Sequence, residues 1–158
     1  MPNWIEGTIK LRGQSEDLKR FFKEGLEPSS YFGKVNSIEN SVKCDFDGEW
    51  CEVEIENEPH IVGTRRAFIK DVCVFWEESY ATIAMPIKQA WAFFGSEWDK
   101  DNWVNISNKF NLDIRLYGFE RGMEFCEEVE IIKGEVTIDD EIKYDDWVWE
   151  CPMPYLGG

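Results

Sequence analysis

Histidine is nearly absent, with His60 the single one, and bases are scarce beside acids: 17 Lys and Arg stand against 32 Asp and Glu, for a formal charge of −15. No H-E-x-x-H, C-x-x-C or comparable ligand spacing occurs, so no metal site is expected beyond weak cation binding at Asp139, Asp140 and Glu141 or at Asp145 and Asp146. The glycine-rich phosphate loops of the P-loop and dinucleotide types are missing, and no cofactor is expected. No apolar run approaches the ~20 residues that span a bilayer. Met1-Pro2-Asn3-Trp4 also lacks the basic flank and apolar stretch of a secretion signal, so no membrane is expected among the partners. The cysteines, at 44, 51, 73, 126 and 151, form an odd set without short pairings. That reads as a reduced set in a cytoplasmic protein, not as a disulfide framework.

What is present is a foldable core. Hydrophobic residues make up 43% of the chain and aromatics 15%, far from the composition of a disordered acidic tail, and 158 residues suit one domain. The charge is unevenly placed. Residues 39–58 carry eight acids and one base, and residues 120–158 carry twelve acids and three bases, while the rest of the chain is close to neutral. Such a field opposes direct contact with nucleic acid, whose phosphates require Lys and Arg.

Trp4 to Arg12 alternates as a half-buried strand closed by Gly13, and Ser15 is the expected N-cap of a helix with Leu18, Phe21, Phe22 and Leu26 on one face. A strand near 50–58 sets Cys51, Val53 and Ile55 against Glu52, Glu54, Glu56 and Glu58. Strands are expected at Val72–Trp76 and Tyr80–Met85. Pro86 leaves the next stretch open, and a strand at Ala90–Phe94 ending at Gly95 is the preferred reading over a helix. Ser96 and Asp99 form a capping box for a second helix to about Lys109, followed by a strand at Leu112–Tyr117.

Lys133-Gly134 centres a hairpin from Phe125 to Ile142. A two-residue loop there pairs Ile131 with Val136, Val129 with Ile138 and Phe125 with Ile142. It collects Glu124, Glu128, Glu130, Thr137, Asp139 and Glu141 on the other face, with Glu128 opposite Asp139. Like charges so placed destabilise a sheet.

No catalytic triad or dyad emerges, and His60 reads as a solvated or hydrogen-bonded loop side chain. The segment Asp145-Asp146-Trp147-Val148-Trp149-Glu150 reads as a last core-packing element in preference to an exposed docking motif. Carboxylates at strand spacing, ~6.6 to 7 Å apart on one face, match the spacing of phosphates along a nucleic-acid strand and could occupy a basic channel. The bland alternative is a solvated charged face.

Several segments resemble the YubB-like domain proteins of phages, plasmids and other mobile elements. They are Met1-Pro2-Asn3-Trp4, Gly63-Thr64-Arg65-Arg66-Ala67, the strand from Leu112 to Tyr117, and Glu120-Arg121-Gly122-Met123-Glu124-Phe125. Ile5 departs from that family's usual cysteine. The resemblance implies a ferredoxin-like α+β fold, an antiparallel sheet with two main helices packed on one face. Residues 1–158 would form this single domain, with an acidic hairpin extension at about 123–150. It also implies a phage or mobile-element origin, without a common activity.

The leading expectation is therefore a non-enzymatic inhibitor of a nucleic-acid-dependent host defence protein, such as a CRISPR nuclease, working in the bacterial cytoplasm. Its contacts to a basic surface would be Glu52, Glu54, Glu56, Glu128, Glu130, Asp139 and Glu141. The alternatives are a structural or assembly module pairing through Trp147 and Trp149, and an enzyme of unrecognised type built around His60, Arg65 or the acidic pairs.

Overall fold

The computed structural model describes residues 2–29, 42–44, 50–55 and 58–158. Along the chain these form β1 (Trp4–Gln14), α1 (Ser15–Glu24), β2 (Leu26–Glu27), β3 (Val42–Cys44), β4 (Cys51–Ile55), β5 (His60–Ile61) and β6 (Ala67–Ile69). They continue with β7 (Val72–Trp76), β8 (Tyr80–Ala90), α2 (Glu97–Phe110), β9 (Asp113–Glu120), β10 (Phe125–Ile132), β11 (Glu135–Lys143) and α3 (Trp147–Glu150).

Eight strands make one sheet in the order β11-β10-β9-β1-β8-β6-β5-β2, and β3, β4 and β7 make a second. All the pairings are antiparallel. This is not the expected ferredoxin-like fold: the chain is mostly antiparallel β. The expectation failed because β1 and β8 pair along eleven residues each and the 125–143 hairpin continues the same sheet through β9, so what looked like an extension is part of the main layer.

β1 is the centre of that layer. Its odd residues Ile5, Ile9 and Leu11 are fully buried, while Lys10 and Arg12 are exposed, as the period-2 pattern requires. The strand does not stop at Gly13 but runs to Gln14, which takes the N-cap position. Ser15 is instead a buried first residue of α1, and its hydroxyl accepts from the Trp76 indole at 2.7 Å. Leu18, Phe21 and Phe22 of α1 enter the core, where Phe21 meets Phe110 edge to face and Phe22 stacks on Trp76.

β8 also outruns its expected end, passing through Pro86 to Ala90. Ala90–Phe94 is no strand. Trp91 has φ +73°, and the chain turns to enter α2, whose N-cap Ser96 accepts from the Asp99 N–H as the capping pattern predicts. Cys44 and Cys51, read from sequence as free thiols, are cross-strand partners on β3 and β4 joined as a disulfide, with Cα atoms 4.1 Å apart. Pairing in the sheet brings together two residues whose sequence spacing matched no framework.

The turn before α2 is seated by a buried polar network. Gln89 donates to the carbonyls of Ala92 and Phe93 and accepts from the Trp103 indole at 3.0 Å, tying the turn to the helix. Phe93 is fully buried against Gly118 of β9, where an added Cβ would come 2.8 Å from the ring. Gly118→Ala should therefore cost about 1–3 kcal/mol of overpacking strain. The check is the denaturant midpoint at constant m-value; an unchanged midpoint would mean the ring does not need that space.

Candidate functional site

The expected contact residues fall on two separate sheets. β4 carries Glu52, half-buried and opposite Lys43 and Phe75, and Glu54, exposed and opposite Cys73, with Cys51, Val53 and Ile55 buried behind them. Glu56 lies outside the described residues. Glu128, Glu130, Asp139 and Glu141 lie on the β10–β11 hairpin at one edge of the larger sheet. Among the described residues no strand pairing joins the two rows, which lie on different sheets.

The hairpin turn forms as the Lys133-Gly134 pair predicts. Both residues have positive φ, +50° and +76°, the combination that a two-residue loop needs to match strand twist. The loop is fastened to its neighbours. The Lys133 N–H donates to Asp113 Oδ1 at 3.1 Å and the Gly134 N–H to Ser107 Oγ at 3.2 Å.

Ile131 faces Val136 as expected, but the register shifts next to it. Glu130 faces Ile138, leaving Thr137 as the extra residue of a bulge, with its hydroxyl donating to the Glu130 carboxylate at 2.8 Å. Every later pair therefore differs from the expected one. Val129 faces Asp139 and not Ile138, Phe125 faces Lys143 and not Ile142, and Glu128 faces Asp140 and not Asp139.

Because directly paired residues share a face, the bulge splits the expected row. Asp139 and Glu141 stand on the helix side of the sheet beside Glu127, where Asp139 is paired with Lys100 of α2 at 3.0 Å. Glu128 and Glu130 stand on the other side, both held by Arg115 of β9. The Glu128 hydrogen bond is the main cause that raises the Arg115 pKa, and the Asp139 hydrogen bond does the same for Lys100. These are exposed pairs, of small energetic value, but they give three carboxylates a counter-ion that a partner would otherwise have to supply.

Other acids lack such counter-ions. Among the described residues, Asp140 on β11 and Asp145 and Asp146 after it have no ion-pair partner. Asp146 caps the single turn of α3 by accepting from the Trp149 N–H, and Glu150 accepts from the Asp145 and Asp146 N–H groups. The two tryptophans of this turn part company. Trp147 is buried against Phe119, Cys126 and Cys151 and donates to the Pro154 carbonyl, whereas Trp149 is 87% exposed and Val148 78%. The segment is thus both the core-packing element expected and a displayed aromatic.

Sequence reasoning named Asp140 for weak cation binding but left it out of the contact row, because a regular hairpin sends it to the opposite side from Glu128. It also passed over Glu127, although an acid on the same side as Phe125, Val129 and Ile131 was a visible break in the pattern. Glu127 is buried, and its two oxygens accept from the Phe93 and Phe94 N–H groups at 2.6 and 2.8 Å.

His60 sits between Glu27, at 2.6 Å, and Thr64, at 3.3 Å, against the Phe68 ring. Arg65 lies over the Trp98 ring and 3.7 Å from Asp99. The described residues hold no group of three or more potential metal ligands, and none of their helices is long and apolar enough to cross a membrane. The chain matches no protein-family model, no curated protein and no solved structure.

Burial pushes the Glu127 carboxyl up from 4.5 to about 7, with Glu141 and Asp139 adding to the rise against the lowering effect of the two N–H donors. The folded protein therefore holds a proton that the unfolded chain releases. The stability this group contributes is fully present below pH 4.5 and is lost as the pH rises to about 7. Glu127→Gln cannot ionise and should flatten that decline. Denaturant midpoints of both proteins between about pH 5 and pH 8 provide the measurement; parallel slopes would remove Glu127 as the source.

Proposed function

We propose that this chain is a non-catalytic binding protein that engages a basic protein surface through the rim formed by β11 and α3. The observation that carries this reading is that Asp140, Asp145 and Asp146, which like Glu52 and Glu54 have no ion-pair partner among the described residues, share their rim with the exposed Trp149. Unneutralised charge attracts and orients a basic partner, and an exposed tryptophan supplies the apolar contact on which interface energy concentrates. Glu128, Glu130 and Asp139 contribute less, since Arg115 and Lys100 already screen them.

A basic surface of this kind most often serves nucleic acid, which keeps a host defence nuclease as the target class, in line with the mobile-element resemblance. The mimicry involved is of charge and not of phosphate spacing, because the register leaves no continuous ladder on one face. A second reading, self-assembly, is favoured by the exposure of Ile142, Val148 and Trp149. A charge of −15 on each copy opposes it.

The test is displacement of a labelled oligonucleotide from a purified CRISPR nuclease. The native protein should compete at low salt. Joint Asp140→Asn, Asp145→Asn and Asp146→Asn replacement should weaken competition at least about tenfold, while Glu52→Gln with Glu54→Gln changes it by less than about twofold. Competition that survives the triple change would sink the rim as the site, and a salt-insensitive dimer in sedimentation would favour self-assembly.

A further inference from the structure

β11 is the last strand of the eight-stranded sheet, so one of its edges has no neighbour among the described residues. It is long for an edge, nine residues, and every residue of it is exposed or half-exposed. An edge of this kind presents a row of free N–H and C=O groups, a ready template for another strand. Natural edges are usually blocked by charge or a bulge, and this one has both: Thr137 bulges out near its start, and Asp139-Asp140-Glu141 fill its middle.

The protection is selective. A second copy of β11, laid antiparallel on the first, would bring acid against acid on both faces, and like charges directly opposite are destabilising. The acids point both ways, Asp139 and Glu141 to the helix side and Asp140 to the other, so they repel an acidic strand and attract a strand with Lys or Arg on either face. Downstream of the bulge the pairing with β10 is regular from Glu130–Ile138 to Phe125–Lys143, giving an uninterrupted stretch on which a strand can lie.

An apolar anchor stands at the same end. Ile142 is 53% exposed, and its cross-strand partner Cys126 is the residue on which Trp147 packs, which sets α3 with Val148 and Trp149 beside that end of the strand. We propose that the outer edge of β11 accepts an extended, Lys- and Arg-rich segment of a partner protein as a ninth strand, with an apolar residue of that segment on Ile142 and Trp149. This rests on the reading of the rim as a binder of basic protein, and it supplies the mode: main-chain hydrogen bonds give affinity, and the acids on both faces choose the charge.

The experiment keeps the protein unaltered. A synthetic peptide of about eight residues, a usual strand length, alternates Lys or Arg with Val. Two controls accompany it: the same peptide methylated on its backbone nitrogens along both edges, which keeps every side chain and charge, and a version with Glu in place of the bases. Amide hydrogen exchange and chemical-shift changes are followed by NMR at low salt.

The basic peptide should slow exchange of the outward amides of β11, the methylated one should bind at least about tenfold more weakly, and the Glu version should not bind. Equal binding of the methylated peptide would overturn strand addition and leave a purely electrostatic contact, with the rim reading intact. Shifts confined to other strands, or no binding of the basic peptide, would overturn strand addition as well, and the rim reading would then be judged by the displacement assay alone.

Discussion

A buried carboxylate fixes how the helical layer is attached to the sheet. Glu127 reaches across from β10 to receive the Phe93 and Phe94 N–H groups, and Gln89 takes the carbonyls of the same turn. Orphaned backbone groups in a core cost as much as lost hydrogen bonds, so this turn is stable only where both side chains are present. With the turn set, Phe93 lies over Gly118 and α2 begins at Ser96, which in turn places Lys100 above Asp139 and Ser107 under the 133–134 loop. The charge pattern of the outer hairpin is thus a downstream result of one interior acid.

The parts of the fold that were legible in the sequence are those with a long, undisturbed period. β1, β4 and β9 show alternation, β7 a run of β-favouring residues, α1 and α2 the helical repeat with capping, and Lys133-Gly134 announces its hairpin. β2, β5 and β6 are two or three residues long, too short for any period to show, and each exists because a neighbour offers it an edge, β8 to β6, β6 to β5 and β5 to β2. Pro86 in β8 reads as a breaker, yet long pairing with β1 carries the strand through it. The disulfide depends on which strands pair, a tertiary fact that spacing does not hold.

The candidate site was legible in composition and illegible in register. The two acidic segments are real features of the chain, but Thr137 offers no signal of its bulge: a threonine between Val136 and Ile138 looks like ordinary alternation. That one residue moves Asp140 into the row with Glu128 and sends Asp139 and Glu141 to the opposite face. Counter-ions were hidden for the same reason, since Arg115 and Lys100 sit in charge-neutral segments and meet the acids only in the folded sheet. Net charge by segment therefore overstated how much of the acidic field is free to act on a partner.

The placement of β1 sets the order of events during synthesis. Its two neighbours are β8 and β9, so β1 gains one complete flank only after residue 90 has emerged and the other only after residue 120. Until then Ile5, Ile9 and Leu11 have no sheet to enter, and closing so long a loop is slow. Across that interval β1 is an apolar strand without its partners, the kind of exposed edge that chaperones hold during synthesis.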